Sequence, residues 1–347
     1  MFDPLLAVAQ NTPKVWGGFR YPLLTGIIAL AVTWFLTPLV RNLAFKYGAV
    51  DDPKRDDRRI HKEPLPRWGG IAIYLGIAIA VLAVLPFAYP NSVAYPLYLV
   101  GIIGVGAFLV IAGALDDLYQ YSAKIQLLIL LGAGVLIQFI AGSIGQVQIK
   151  SIGVPFAIQP EYMVFAPGLA IALTAIYIFV VTKTMDTIDG VDGLASGIAA
   201  ISAGTLMIIA VYEGQPRVAI VAAAVGGAAI GFLRHNYNPA KIIMGTGGAY
   251  ILGFTLACLS IVGALKTAAA LSLIIPIFVF GVPIFDAIQV VIRRKMSGVP
   301  ITQADKRHLH HQLLKRGLTQ RQTVLVLYLA AAALCGVLIF IVLRKYA

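Results

Sequence analysis

Charged residues are scarce in this chain, and acidic residues are the scarcest. Only 12% of its 347 residues are charged, 15 of them Asp or Glu, whereas 59% are hydrophobic. This composition excludes a water-soluble globular protein and predicts a polytopic helical membrane protein. The excess of Lys and Arg needs no nucleic acid to explain it, because basic segments set membrane orientation and attract anionic lipid headgroups.

Cysteine is nearly absent as well. Cys258 and Cys335 both lie in apolar segments, without the spacing of metal ligands, which favours small core side chains. No low-complexity linker or repeat of fixed period divides the chain, so a single domain, 1–347, is expected. The first apolar segment has no small-residue cleavage site behind it and is therefore expected to be a retained span.

Long apolar segments recur along the chain at the length that crosses a bilayer. At about 20 residues for each span, ten spans are predicted: 21–42, 69–89, 96–115, 124–142, 167–185, 194–212, 217–233, 249–265, 269–292 and 322–343. The predicted fold is an all-α polytopic membrane protein of about ten transmembrane helices. Between the fourth and fifth spans, residues 146–150 alternate polar and apolar side chains, which predicts a small external β-hairpin.

Alternate crossings place five connecting segments on the same side of the membrane. These segments are 43–68, 116–123, 186–193, 234–248 and 293–321. Most of the Lys and Arg residues lie in them or at the adjoining helix edges. The positive-inside rule therefore makes this side cytoplasmic and leaves both termini outside.

Closely spaced carboxylates directly follow the apolar spans in two of these segments. Asp116 and Asp117 directly follow a helix end, while Asp186, Asp189 and Asp192 are spaced three residues apart and would share a face in a helical turn. Adjacent carboxylates at the edge of hydrocarbon are costly unless a cation compensates them, and Mg²⁺ would do so while leaving room for phosphate oxygens. For the first pair, simple solvation at the headgroup level is the alternative. An EF-hand calcium loop is excluded because its other ligand positions are missing.

Cations occupy the first of these segments. Arg55, His61 and Arg67 lie among prolines that stiffen the loop, an arrangement suited to a phosphate or pyrophosphate. A basic loop that only sets topology would have the same composition. Lys124, at the start of the fourth span, could pair with Asp116 or Asp117 or bind a substrate phosphate.

The last two segments add backbone donors and histidines. The glycine run at 244–248 opens a helix whose backbone N–H groups could bind a phosphate or nucleobase oxygen. His308, His310 and His311 follow Asp305 on a cationic loop. Phosphate recognition or proton handling suits this cluster better than zinc, because no cysteine lies nearby; a solvated histidine cluster is the alternative.

The order and the residues of these motifs resemble those of the bacterial polyprenyl-phosphate N-acetylhexosamine-1-phosphate transferase family. The matching motifs are Asp52-Pro53 through His61 to Pro66-Arg67-Trp68-Gly69-Gly70; Leu115-Asp116-Asp117; Ile188-Asp189-Gly190-Val191-Asp192-Gly193-Leu194-Ala195; Asn236 with Pro239-Ala240-Lys241-Ile242; and His308-Leu309-His310-His311-Gln312-Leu313-Leu314. The last motif resembles the N-acetylglucosamine-1-phosphate branch, since the peptidoglycan translocase usually continues its histidine run with Phe-Glu.

The resemblance implies an enzyme of ten or eleven helices that transfers a sugar-1-phosphate from a UDP-sugar to undecaprenyl or another polyprenyl phosphate and releases UMP. N-acetylglucosamine-1-phosphate is the group expected for this branch. The reaction would start cell-wall or surface polysaccharide synthesis at the cytoplasmic face of the bacterial inner membrane. The resemblance also implies Mg²⁺, with Mn²⁺ as a substitute, and a homodimer is left open.

Together with the charges of the residues themselves, the resemblance predicts roles for individual residues; those of Lys183 and Asp186 rest on the residues alone, because relatives usually carry Asn there. The catalytic residues would be Asp116, Asp117, Asp189 and His308. The metal ligands would be Asp116, Asp117, Asp186 and Asp189. The substrate-binding residues would be Arg55, His61, Arg67, Lys124, Lys183, Asp192, Asn236, Lys241, His310 and His311.

Three positions depart from the family pattern. Lys183 and Asp186 stand where relatives usually carry Asn, and Thr246 stands where they carry Asp. One carboxylate is lost and one gained, which predicts a relocated metal ligand if the two loops converge on one ion. A noncatalytic paralogue that binds polyprenyl phosphate, or an enzyme with another donor sugar, would fit the same changes. A secondary transporter fits less well, because its carboxylates would lie near the bilayer midplane.

Overall fold

The computed structural model describes residues 15–51, 64–89, 96–140, 147–153, 162–264, 278–296 and 308–344. Eleven α-helices and four short strands are formed within these residues. In chain order they are α1 Val15–Tyr47, β1 Val50–Asp51, β2 Leu65–Pro66, α2 Gly69–Ala88, α3 Leu97–Tyr119, α4 Ala123–Ile140, β3 Ser151–Gly153, β4 Tyr162–Val164, α5 Pro167–Ile188, α6 Leu194–Tyr212, α7 Pro216–Asn236, α8 Gly245–Ala264, α9 Gly281–Met296, α10 Leu309–Lys315 and α11 Gln320–Leu343.

Nine of the helices in the described part of the chain are long and apolar enough to cross a membrane; α9 and α10 are the exceptions. Helices suit these segments because a bilayer core offers no water to the backbone, so each N–H must bond within its own segment. The prediction of an all-α, multi-pass membrane protein is confirmed. The predicted span 269–292 falls partly outside the described residues, and its described portion enters α9, which continues to Met296.

The predicted hairpin is present, but its first strand begins later than expected. Strand β3 pairs antiparallel with β4, with Ile152 opposite Met163. The preceding residues pack against α5 instead: Val147 is buried, and the Ile149 N–H donates to Thr174 Oγ1 at 2.9 Å. Residues 147–150 therefore lead into the hairpin without forming a strand; the Phe165 N–H donates to Lys150 O at 2.9 Å, and strand pairing begins at Ser151. Residue 146 lies outside the described residues.

Helix α8 is the centre of the bundle and brings the other functional helices together. It is almost entirely buried. A Cβ atom added at Gly113 of α3 would lie 2.3 Å from Gly247 Cα, and one added at Gly253 would lie 2.7 Å from Thr182 Cα of α5. Small residues allow such close approach between membrane helices. The start of α8 is thus placed against the C-terminal ends of α3 and α5.

A short sheet fixes the chain just before α2. Strands β1 and β2 pair antiparallel, with Asp51 opposite Leu65. The segment leading into α8 extends this arrangement, because the Ile243 N–H donates to Pro66 O and the Gly70 N–H donates to Met244 O, both at 2.8 Å. These bonds hold Arg67, which follows β2, beside the start of α8.

Candidate active site

Asp116, near the end of α3, is held by hydrogen bonds to both carboxylate oxygens. Oδ1 accepts from the Tyr121 N–H at 2.7 Å, and the Gln126 side-chain amide donates to Oδ1 at 3.2 Å and to Oδ2 at 3.0 Å. Thr246 Oγ1 donates to Oδ2 at 2.9 Å. A carboxylate offers about four acceptor positions, so the protein itself already fills those of Asp116.

Asp117, the next residue, has a different environment. Its Oδ1 lies 3.2 Å from Arg67 Nε and accepts a hydrogen bond of 3.2 Å from the Thr246 N–H. Its Oδ2 is buried without a hydrogen-bond partner in the described structure. Gly245 borders this oxygen in a left-handed conformation, φ +70°, and a Cβ atom there would lie 2.3 Å from Oδ2. The glycine therefore keeps space beside an oxygen that lacks a partner.

A chain of polar contacts connects these carboxylates to the end of α5. Lys183 Nζ donates to Gln126 Oε1 at 2.7 Å and forms an ion pair of 2.6 Å with Asp186 Oδ2. Because Gln126 also binds Asp116, the contacts run from Thr246 through Asp116, Gln126 and Lys183 to Asp186. The three positions that depart from the family pattern thus belong to one network.

Asp189 follows the last residue of α5 and faces a surplus of negative charge. Its burial raises the pKa of Asp189 well above the usual range for an aspartate, and the nearby carboxylates of Asp186, Asp117 and Asp192 raise it further, while Arg67 opposes the shift. The pKa of Arg67 also reports this surplus of negative charge. Burial would lower the pKa of Arg67, but the charges of Asp117 and its other acidic neighbours outweigh burial and raise it.

Two predicted substrate-binding residues bind the protein's own loops. Asp192 Oδ2 accepts from Asn238 Nδ2 and from the Ala240 N–H, both at 3.0 Å. Asn236 accepts at Oδ1 from the Gly193 N–H at 3.0 Å, and its Nδ2 donates to Ile242 O at 3.0 Å. Both side chains are buried. They hold the turn after α5 against the loop before α8, and their contact with substrate stays a prediction.

The histidine segment lies against the same turn. A Cβ atom added at Gly190 would lie 3.3 Å from His310 Nε2, so this ring borders the residue after Asp189. The rings of His308 and His310 are parallel, with centroids 5.6 Å apart, and the His311 ring lies 4.3 Å from that of His310. Burial, with a further contribution from His311, lowers the pKa of His310 to about 3, so His310 is neutral at physiological pH.

Asp286 of α9 contacts the histidine segment, and the sequence did not single it out. Its Oδ2 lies 2.8 Å from His308 Nδ1, and its Oδ1 accepts from the Leu309 N–H at 2.6 Å. The signal was present, because Asp286 lies within a predicted apolar span and an ionisable residue there indicates a specific role. Gln126 was missed for a different reason: nothing in its local sequence indicates the two partners that the fold gives it.

The remaining predicted residues lie at the edge of the site or outside the described residues. Lys124 and Lys241 are both exposed. Arg55 and His61 lie outside the described residues, as does Asp305. Four of the five predicted cytoplasmic segments contribute residues to the acidic network or the turn beside it, and the histidines of the fifth contact that turn.

The acidic residues have the ligand type that a hard divalent cation needs, but their side chains are not arranged around a common point. Among the residues that the structure describes, no three His, Cys, Asp or Glu side chains stand close enough together to hold a metal ion. Within the described residues, Asp117 Oδ2 nevertheless has no hydrogen-bond partner, and neighbouring carboxylates help to raise the pKa of Asp189. Carboxylate oxygens are the ligands that Mg²⁺ prefers, so the residue types of the site fit such an ion.

Known proteins with similar sequences match over most of the chain. The profile of glycosyl transferase family 4 matches residues 99–264, which include both acidic segments and Thr246. A Bacillus subtilis protein named "probable undecaprenyl-phosphate N-acetylglucosaminyl 1-phosphate transferase" is 38% identical over 87% of this chain and 80% of its own length. The decaprenyl-phosphate N-acetylglucosaminephosphotransferase of Mycolicibacterium smegmatis is 31% identical, over 94% and 84%. The undecaprenyl-phosphate alpha-N-acetylglucosaminyl 1-phosphate transferase of Escherichia coli K12 is 27% identical, over 89% and 81%.

Proposed function

The chain belongs to glycosyl transferase family 4, and from this membership and its site we propose that it transfers a sugar-1-phosphate from a UDP-sugar to a polyprenyl phosphate and releases UMP. N-acetylglucosamine is the proposed sugar and undecaprenyl phosphate the proposed acceptor, as in the names of the Bacillus and Escherichia relatives. The observation that carries the proposal is Asp117, whose Oδ2 has no hydrogen-bond partner among the described residues and which pairs with Arg67 where α3, α5 and α8 meet.

The proposed location is the cytoplasmic face of the bacterial inner membrane. The helix ends that form the site are also the ends that carry most of the cations of the described residues. These cations are Arg41, Lys46, Arg67, Lys124, Lys183, Arg234, Lys241, Arg293, Arg294, Lys295, Lys315, Arg316 and Arg321. Positive charge marks the cytoplasmic side of membrane helices. A nucleotide sugar from the cytosol and a lipid phosphate from the inner leaflet would meet there.

We infer that the enzyme uses Mg²⁺, held by Asp117 and Asp189 with Asp186 nearby. When bound, the ion would neutralise pyrophosphate oxygens and stabilise the charge that develops on departing UMP. Asp116 was predicted as a ligand too, but its four accepted hydrogen bonds favour a role in fixing Gln126 and Thr246. The metal ligands stay a prediction that direct binding measurements can test.

The protein's own side chains would mainly orient the two substrates. The second pKa of a phosphate monoester is about 6, so the acceptor is already largely ionised at neutral pH and needs little help from a base. Arg67, fixed between Asp51 and Asp117, would bring a guanidinium to the phosphate oxygens and offset the repulsion between substrate and carboxylates. Positioning of this kind supplies much of the rate enhancement in phosphoryl transfer.

Purified protein in nanodiscs should be incubated with undecaprenyl phosphate, Mg²⁺ and single UDP-sugars, with UMP measured and the lipid product identified by mass. We expect UMP release with UDP-N-acetylglucosamine and a lipid heavier by one sugar phosphate. UMP release with another UDP-sugar alone would change the proposed donor. If no donor gives UMP but polyprenyl phosphate still binds, the protein would be a noncatalytic binding protein. Thr246, which stands where relatives carry Asp, supports that alternative.

A further inference from the structure

Asp286 is an acidic residue in an apolar setting. It belongs to α9, the residue is 2% exposed, and the residues that share its buried face include Val282, Pro283 and Val290. A carboxylate removed from water at the edge of a membrane protein is costly unless hydrogen bonds and charge compensate it. The contacts of Asp286 should therefore reveal what the protein gains by placing it there.

Both oxygens of Asp286 bind the start of the histidine segment. Oδ2 lies 2.8 Å from His308 Nδ1, and Oδ1 accepts the Leu309 backbone N–H at 2.6 Å. Leu309 is the first residue of α10, so its N–H has no partner within that helix. A single carboxylate thus fixes the imidazole ring and the first turn of the helix that carries His310 and His311.

This arrangement selects one tautomer of His308. A carboxylate accepts a proton and cannot supply one, so Nδ1 must carry the hydrogen in the neutral ring, and Nε2 then carries the lone pair. Nε2 is the nitrogen directed away from Asp286. His308 stacks parallel to His310, and His310 borders Gly190 beside Asp189. The fixed ring is therefore part of the same site as the acidic residues.

We propose that Asp286 is a positioning residue for His308: its carboxylate holds the hydrogen on Nδ1, so that Nε2 faces the site and donates a second hydrogen to a substrate phosphate when the ring is protonated. Only the rate effects of this inference rest on the proposed transfer reaction, since the tautomer itself is a property of the protein. Asp286 would act on the reaction through His308 and would make no contact with either substrate.

The substitution Asp286→Asn separates positioning from structural support. The Asn Oδ1 can still accept the Leu309 N–H, so α10 keeps its first-turn bond. The new amide N–H₂ would face His308 Nδ1 and could bond it only when that nitrogen carries no hydrogen. The variant should therefore fold with nearly unchanged shape while it forces the hydrogen of the neutral ring onto Nε2.

The tautomer can be measured without turnover. The chain has five histidines, so ¹⁵N-histidine labelling in nanodiscs gives few signals, and the signal lost in His308→Asn identifies His308. Wild-type His308 should show a protonated Nδ1 and an unprotonated Nε2, and Asp286→Asn should reverse the pattern. Ser202→Ala is the matched control, because it removes a different buried bond, to Val279 O just before α9, and should leave the pattern unchanged.

Kinetics then test whether the position matters to the reaction. We expect Asp286→Asn to lower kcat by about 10²-fold, the lower end of what a positioned acid or base supplies, with KM changed much less. In the His308→Asn background, Asp286→Asn should cause little further loss, because the residue acts through His308. An unchanged His308 tautomer in Asp286→Asn, or losses that multiply in the double variant, would overturn the inference. If wild-type protein releases no UMP, the proposed function fails while the tautomer result still decides the role of Asp286.

Discussion

The two sides of the site are supported in different ways. On the acidic side, Asp116 receives hydrogen bonds from α4, from α8 and from the turn after α3, and the same network continues to Lys183 and Asp186 on α5. On the histidine side, the described contacts of His308 depend on one carboxylate, Asp286, and on a helix of seven residues. The comparison indicates that loss of one bond should be tolerated on the acidic side and damaging on the histidine side.

Asp117, which we propose as a metal ligand, should be the exception on the acidic side. Asp117→Asn removes the negative charge next to Arg67. It also replaces the carboxylate, whose Oδ2 has no partner among the described residues, with a neutral amide that is a poorer ligand for a cation. We expect kcat to fall by about 10³-fold, as when a principal electrostatic group is removed, measured as single-turnover UMP release. Glu213→Gln at the opposite end of α6 is the control for charge loss and should change the rate by less than about two-fold. A loss below ten-fold for Asp117→Asn would assign the chemistry elsewhere.

The relocated-ligand hypothesis gives the next largest effect. If Asp186 replaces the carboxylate absent at position 246, Asp186→Asn should weaken Mg²⁺ dependence or turnover by about 10- to 100-fold, and Thr246→Asp in the same protein should restore it. Lys183→Gln breaks the same ion pair but keeps the carboxylate, so it is the matched control. Unchanged turnover and Mg²⁺ response in Asp186→Asn would reject the hypothesis. Equal losses in both single variants would instead assign the effect to the ion pair.

Shared support of Asp116 predicts a smaller, cooperative effect. Gln126→Ala and Thr246→Val each remove hydrogen bonds to its carboxylate and leave the others in place. A typical hydrogen bond contributes about 1 kcal/mol, so each single variant should lose about five-fold in kcat. The double variant should lose more than the product, because the remaining Tyr121 bond no longer fixes Oδ2. Simple multiplication of the two losses would show that the bonds act independently.

Sequence alone predicted where the acidic residues meet but not how they are held. Apolar span lengths and crossing parity predict that Asp117 and Asp189 lie at the same membrane face, although they are 72 positions apart, and in the structure the charge of Asp117 contributes to the raised pKa of Asp189. Hydrogen-bond partners were beyond reach because tertiary packing chooses them. Asp192 and Asn236 belong to the family motifs, yet their side chains bind the protein's own loops. Gln126 and Asp286 contact residues of the site, although the sequence did not single them out.

The contact between the two sides gives the smallest predicted effect. Gly190→Ala would place a Cβ atom 3.3 Å from His310 Nε2, closer than most such contacts, so the ring must move by a few tenths of an ångström. Because His310 stacks on His308, this shift would pass to the ring that Asp286 holds, and we expect kcat to fall about three-fold. Gly204→Ala is the control, since its added Cβ would lie more than 4 Å from every described atom outside its own helix turn. Equal rates for both variants and wild type would mean that the histidines tolerate displacement from the acidic turn, and that the two sides work separately.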